Sequence, residues 1–376
     1  MSLNRLALLS FITLSFLMMI TIAVKNFTYC YPDRFAKLDG MVAGVTDRPF
    51  VNRTLMPQTL KVMSGLTPMW VTDKLALATP TLPYSYSETL DTDDMIFSPQ
   101  IHNQLFYYYA ILDTLILATW LLVLRYLITL FNPDIPSERL DLINLVSLLG
   151  LWPLLPGHQI YDFPSLLFAT LLYGLLYQRK LHLFTLAYTL SLFNKETTVL
   201  MIIPATWWLI FQGTKPLSDN LMFKGKIKHY LITLTSIWQW PLLWLILFGL
   251  SRFILHLAFG QNNGETVQFH LYQQFDGYVS RPKESILVIF LPLCFLLFRL
   301  TRFWSDQADF LRYNFALLAP IYVILQIFFG MPLEVRVFLE LYPLAVILAI
   351  HPVSRRTNQG YVVSASQVHL SNTSSL

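Results

Sequence analysis

Residues 180–213 read KLHLFTLAYTLSLFNKETTVLMIIPATWWLIFQG, and how this run is divided sets the topology of the chain. Taken whole, roughly 32 residues form one long span. That division puts the stretch 213–229, with Lys215, Lys224, Lys226 and Lys228, on the outer side. It also buries Lys195 and Glu196 near mid-membrane, at about 2.5–3.5 kcal/mol each on insertion scales. Two short helices meeting at Asn194-Lys195-Glu196-Thr197 avoid both costs. A helix of about 13 residues reaches only ~20 Å against a hydrocarbon core of ~30 Å. The junction is therefore expected below the outer surface, with its charged pair lining a water-filled recess. A plainer account has Lys195 and Glu196 snorkelling at a hairpin tip.

Working outward, apolar runs recur near 6–24, 103–131, 141–155, 163–177, 181–193, 197–212, 229–256, 285–300, 309–330 and 335–350, roughly ten spans. The fold class expected is an all-α polytopic membrane protein. Composition agrees, since 55% of the 376 residues are hydrophobic and only 13% are charged, far from a soluble domain. The net charge of +4 lies in short basic clusters between apolar runs: Arg5, Arg125 with Arg139, Arg179 with Lys180, the lysines of 213–229, Arg299 with Arg302 and Arg312, and Arg355 with Arg356. With ten spans all fall on one side, which the positive-inside rule makes cytoplasmic together with both termini. This accounts for the basic balance without nucleic acid as a partner. Arg5 precedes the first run and no small-residue cleavage site follows it, so 6–24 reads as a retained span. Cys30 and Cys294 are the only cysteines, so neither a disulfide framework nor a thiolate metal site is indicated. One transmembrane domain is expected over 1–351, including an outer loop 25–102, with a polar, disordered cytoplasmic tail over 352–376.

Four constellations can carry chemistry. The first lies between Asp33 and Pro57, where Asp33, Arg34, Asp39, Asp47, Arg48 and Arg53 gather directly after the first run. Acids there can take a proton from an acceptor hydroxyl, and arginines can hold a phosphate. Mutual pairing and lipid headgroups are the plainer explanation. From Pro57 an amphipathic helix is expected to rest Leu60, Met63 and Trp70 on the membrane surface. The second is His158, Tyr161 and Asp162, in which Asp162, two residues before Pro164, occupies an N-cap position. The third is Asn194-Lys195-Glu196-Thr197. The fourth is Glu334-Val335-Arg336, whose spacing keeps its two charges from sharing a helical face. Arg336 then calls for a partner elsewhere, either a lipid phosphate or a substrate phosphate.

In this order the residues resemble the bacterial integral-membrane glycosyltransferases of the GT-C superfamily, in particular the mannosyltransferase and dolichyl-phosphate-mannose-protein mannosyltransferase-like groups. The family's outer loop tends to read Asp-Gly, an aromatic, then Arg-Pro-Phe-x-Tyr-Arg-x-Leu-x-Pro. Asp39-Gly40 and Arg48-Pro49-Phe50-Val51-Asn52-Arg53-Thr54-Leu55-Met56-Pro57 match most of it. Asn52 stands where the aromatic is usual, and no tyrosine follows Asp39-Gly40. The resemblance implies a polyprenyl-phosphate-linked sugar donor, a glycan, lipid or protein acceptor, and transfer on the outer face of the inner membrane with inversion. It implies Asp39, or else Asp47, as the base. Arg48, Arg53, Lys195 and Arg336 would hold the donor phosphate. His158, Tyr161, Asp162, Glu196 and Glu334 would orient the sugar or those cations. A divalent metal at the outer-loop acid occurs in some members. A transporter or flippase for lipid-linked glycans, or a glycan polymerase, would use the same cations.

Overall fold

The structure is a computed structural model that describes residues 38–46, 48–78, 99–151, 159–214, 235, 237–263, 271, 291–330 and 335–350. Among these, regular structure is entirely helical. The helices are α1 (Leu38–Ala43), α2 (Leu55–Leu66), α3 (Met69–Ala78), α4 (Pro99–Phe131), α5 (Ser137–Gly150), α6 (Asp162–Tyr177), α7 (Leu181–Leu192), α8 (Ile202–Thr214), α9 (Gln239–Phe259), α10 (Leu291–Phe303), α11 (Asp309–Phe329) and α12 (Tyr342–Ala349). Short 3-10 turns lead into α8 (Glu196–Met201) and α12 (Val335–Glu340). Proline sits in the first turn of α2, α6, α8 and α12, where its missing N–H costs no helical hydrogen bond.

Three stretches are long and apolar enough to cross a membrane: Tyr107–Phe131, Gln239–Phe259 and Asp309–Phe329. Their outward faces carry Ile111, Leu115 and Leu122 on α4, Leu245, Ile246, Phe253 and Leu257 on α9, and Ile324 and Ile327 on α11, all exposed. Apolar surface on that scale belongs against lipid. Apart from 6–24, which lies outside the described residues, every apolar run carries helix over at least part of its length. The run 180–213 divides into α7 and α8 as two helices, separated by the Asn194–Thr197 junction and the 3-10 turn.

Side-chain contacts fix the direction of each helix. At one pole Phe131 ending α4, Tyr177 ending α6, Trp208 midway along α8 and Phe310 opening α11 meet as an aromatic cluster, with centroids 4.5 Å apart for Phe131–Tyr177 and 4.9 Å for Trp208–Phe310. There the turn between α6 and α7 closes with Arg179 in left-handed conformation (φ 58°) and Lys180 N–H donating to Leu175 O, a helix-ending motif usually made with glycine. Near this pole α9 begins, with Trp240 edge-on to His182. Arg125, Arg139, Arg179, Lys180, Arg299, Arg302 and Arg312 gather toward it, as their places on these helices require. Arg125 pairs with Asp141, Arg312 with Asp309, and Arg299 donates to the last carbonyl of α12 at Ala349.

The opposite pole holds the start of α6, the end of α7, the Glu196 turn, the end of α9 and the Val335–Glu340 turn. Sixteen residues make α6 about 24 Å long and twelve make α7 about 18 Å, both short of a ~30 Å core. Helix α4, at 33 residues, runs about 50 Å, and its first turns project past its neighbours. On that projection lies a second small core of Met41, Val42, Met56, Leu60, Leu105, Tyr109, Ile160 and Tyr161. Leu60 is fully buried in it. This corrects the expectation that Leu60 faces a membrane surface: α2 turns that side inward because the exposed end of α4 offers it an apolar partner. Val62 and Leu66 on α2, and Met69 and Trp70 opening α3, are exposed.

Candidate functional site

The stretch 38–57 is clamped onto this pole through backbone groups. Asn262, just past α9, donates its side-chain amide to Gly44 O and Thr46 O (3.0 and 2.9 Å). Arg48 N–H donates to Asn263 O at 2.8 Å, and Leu55 N–H to Phe193 O at 3.0 Å. Gly44 makes the turn possible, with φ at 78° and Phe259 3.1 Å from where a Cβ would stand.

The clamp brings Arg53 to Glu196, with Nη2 donating to Oε1 at 2.6 Å and Nε to Oε2 at 3.2 Å. Planar two-point pairing of this kind is among the strongest charge-assisted contacts available. Arg53 also stacks on Tyr161, its guanidinium carbon 4.0 Å from the ring centroid. Arg336 approaches the same ring at 6.0 Å and donates to its hydroxyl at 3.3 Å.

Beneath the ring lies Asp162, fully buried. Its Oδ2 accepts from Gln159 N–H at 2.8 Å and lies 3.6 Å from Arg336 Nη1, while Oδ1 lies 3.9 Å from Lys195 Nζ. The expected capping role is therefore modified: Asp162 is the first residue of α6 and reaches back to Gln159, with no side-chain cap on the helix. Lys195 lies equally far, 3.9 Å, from Glu340 Oε1. Glu340 in turn accepts from the hydroxyls of Thr197 and Tyr322, and its backbone carbonyl accepts from Tyr173 at 3.0 Å. Asn194 ties the start of α6 to the end of α7, donating to Tyr161 O and Ser165 Oγ at 2.8 and 2.9 Å.

Lys195 and Glu196, adjacent in sequence, thus serve different partners. The extended backbone at Lys195 (φ −154°, ψ 133°) sends consecutive side chains to opposite sides. Three cations, Arg53, Lys195 and Arg336, balance three carboxylates, Asp162, Glu196 and Glu340. Arg252 of α9 adds a fourth positive charge whose field reaches both Glu196 and Arg53, and it donates to Leu192 O at the end of α7. Burial alone would push the Glu196 carboxyl up, but the Arg53 guanidinium, through charge and hydrogen bonds, holds it down at about 2. Burial likewise disfavours charge on Arg53, and Glu196 with Tyr161 more than reverses this, raising its pKa above the usual arginine value.

Of the residues singled out from the sequence, Arg53, Tyr161, Asp162, Lys195, Glu196 and Arg336 meet here. Arg48 does not join them: it docks through its backbone, and its guanidinium forms no ion pair among the described residues. Asp39 lies in α1 beside the second core, with only its backbone described. Asp47, His158 and Glu334 fall outside the described residues. Among the described residues no group of three or more His, Cys, Asp or Glu side chains is spaced to hold a metal ion. Sequence reasoning passed over Glu340 and Arg252, each set inside an apolar run.

No protein-family model, curated protein or solved structure matches this chain.

Proposed function

We propose that the chain is a GT-C-type glycosyltransferase of about ten spans that moves a sugar from a polyprenyl-phosphate donor to an acceptor hydroxyl at the pole holding Asp162. The observation that carries this reading is the meeting of Arg53, from an extramembrane stretch, with Tyr161, Asp162, Lys195, Glu196 and Arg336 at one end of a bundle whose basic turns lie at the other. Under the positive-inside rule the basic pole is cytoplasmic and the site faces outward. Short helices beside a longer one leave a recess that a membrane-embedded donor enters from the side. In the bacterial setting that the motifs resemble, this is the outer face of the inner membrane.

In the reaction, an acceptor oxygen attacks the anomeric carbon from the face opposite the phosphate. The new C–O bond forms as the bond to the phosphate oxygen breaks, and the hydroxyl proton passes to the carboxylate of Asp39, or alternatively Asp47. Inversion follows from a single displacement. The departing polyprenyl phosphate carries the negative charge that Arg53 stabilises, with Tyr161 and Glu196 fixing the plane of that guanidinium.

The test is release of polyprenyl phosphate from a lipid-linked sugar by the purified protein in lipid nanodiscs. Arg53→Gln is expected to lower turnover on the order of 100-fold, and Asp39→Asn to abolish it in protein that unfolds at the wild-type temperature. Full activity in both Asp39→Asn and Asp47→Asn removes the outer loop from the chemistry. Passage of the intact lipid-sugar across a liposome membrane without chemical change assigns a transporter instead.

A further inference from the structure

Lys195 is more than nine-tenths buried, yet among the described residues its ammonium makes no direct hydrogen bond. Its two ion-pair partners, Asp162 Oδ1 and Glu340 Oε1, both stand at 3.9 Å. That is too long for direct donation, and an oxygen atom set to one side of the line between them can lie at hydrogen-bond distance from both, accepting from the ammonium and donating to the carboxylate. The partners are fixed in place. Asp162 is held at the head of α6 by Gln159 N–H, and Glu340 by the hydroxyls of Thr197 and Tyr322. The ammonium offers three donors and the carboxylates accept only. A group lying beside them meets a donor and an acceptor at once.

An anion fits this place less well than a neutral group, because moving toward Lys195 also moves it toward Asp162 and Glu340, and of these two Asp162 alone has a second cation, Arg336, within 4 Å among the described residues. A hydroxyl fits well: its lone pairs accept from the ammonium and its proton goes to a carboxylate. Two carboxylates flanking one ammonium suit two neighbouring hydroxyls. The surplus positive charge lies elsewhere: Arg252 donates to Leu192 O at the end of α7, next to Phe193, whose carbonyl accepts from Leu55 N–H two residues beyond Arg53, and its charge reaches the Arg53–Glu196 pair.

We infer that Lys195, with Asp162 and Glu340, binds adjacent hydroxyls of a neutral sugar, whereas the phosphate of the donor is held separately by Arg53 and Arg252. This rests on the glycosyl-transfer reading and deepens it: it divides the cations between two ligand groups and restricts the sugar to uncharged ones.

The experiment uses the full chain in nanodiscs and two probes. Methyl glycosides of mannose, glucose and galactose, with methyl glucuronide as the anionic control, are followed by saturation-transfer NMR. Farnesyl phosphate is followed by calorimetry. The expected results are binding of at least one neutral glycoside, rejection of the glucuronide, and simultaneous occupancy by glycoside and farnesyl phosphate in the wild type. Glu340→Gln keeps hydrogen-bonding capacity and removes the charge. It is expected to weaken the glycoside at least tenfold and leave farnesyl phosphate within about twofold. Arg53→Gln should do the reverse. If farnesyl phosphate displaces the glycoside, if Lys195→Met costs more phosphate affinity than glycoside affinity, or if no neutral glycoside binds, the assignment is wrong. The wild-type competition decides the matter even where a variant fails to fold. Glycoside binding without any farnesyl phosphate binding would instead remove the lipid-phosphate donor and leave the hydroxyl site standing.

Discussion

Arg53 and Glu196, 143 residues apart, share two hydrogen bonds, and this pair fastens the stretch before α2 to the turn between α7 and α8. Removing either partner leaves a largely buried charge half-satisfied. A double-mutant cycle with Arg53→Gln and Glu196→Gln, read from unfolding in detergent, is expected to show a coupling energy of about 1–3 kcal/mol. Additive single effects would mean that the two side chains do not act as a pair.

The same pair gives the docked stretch a pH dependence. The Glu196 carboxyl sits at about 2, below its ordinary 4.5, so its contribution is complete above about pH 4.5 and is lost as the pH falls toward 2. Amide exchange over residues 48–57 should therefore accelerate between pH 4.5 and 2.5 beyond the intrinsic pH effect. In Glu196→Gln that extra acceleration should disappear.

At Gly44, alanine meets two obstacles, a backbone at φ 78° and the Phe259 ring at 3.1 Å. Gly44→Ala is expected to cost about 1–2 kcal/mol from the left-handed backbone alone. Pairing it with Phe259→Leu should recover only the steric part. Protease cleavage between residues 44 and 55 is the readout, and wild-type resistance in Gly44→Ala would contradict the turn described.

Asn194 supplies two buried hydrogen bonds to the head of α6. Asn194→Ala should destabilise the protein by about 1–3 kcal/mol, because Tyr161 O and Ser165 Oγ each lose a donor. The thermal unfolding midpoint measures this, and a change within error would show that α6 and α7 are held together without it.

Much of the site was legible because ionisable groups at the edges of apolar runs are costly and need a reason. That argument found Arg53, Asp162, Lys195, Glu196 and Arg336. It applied equally to Glu340 and Arg252, but each was absorbed into an apolar run and so read as part of a span. Other features had no local signal. The opposite aims of Lys195 and Glu196 depend on an extended backbone at one residue. The inward turn of Leu60 depends on the overhang of α4, which the pattern of α2 cannot reveal. The pairing of Arg336 with Tyr161 and Asp162 spans about half the chain, and sequence spacing says nothing about it.

The brevity of α6 and α7 has a consequence for the lipid around them. On the ten-span reading proposed above, helices of about 24 and 18 Å in a ~30 Å hydrocarbon layer would either draw the leaflet inward or admit water down to their ends, at fractions of a kcal/mol per Å of mismatch. Because Asp162 and Lys195 sit at those ends, the depth of the charged cluster is tied to bilayer thickness. On that reading a thinner membrane would bring the headgroup plane toward Tyr161 and a thicker one would draw it away, so acyl-chain length would act as a graded control over what reaches the buried charges.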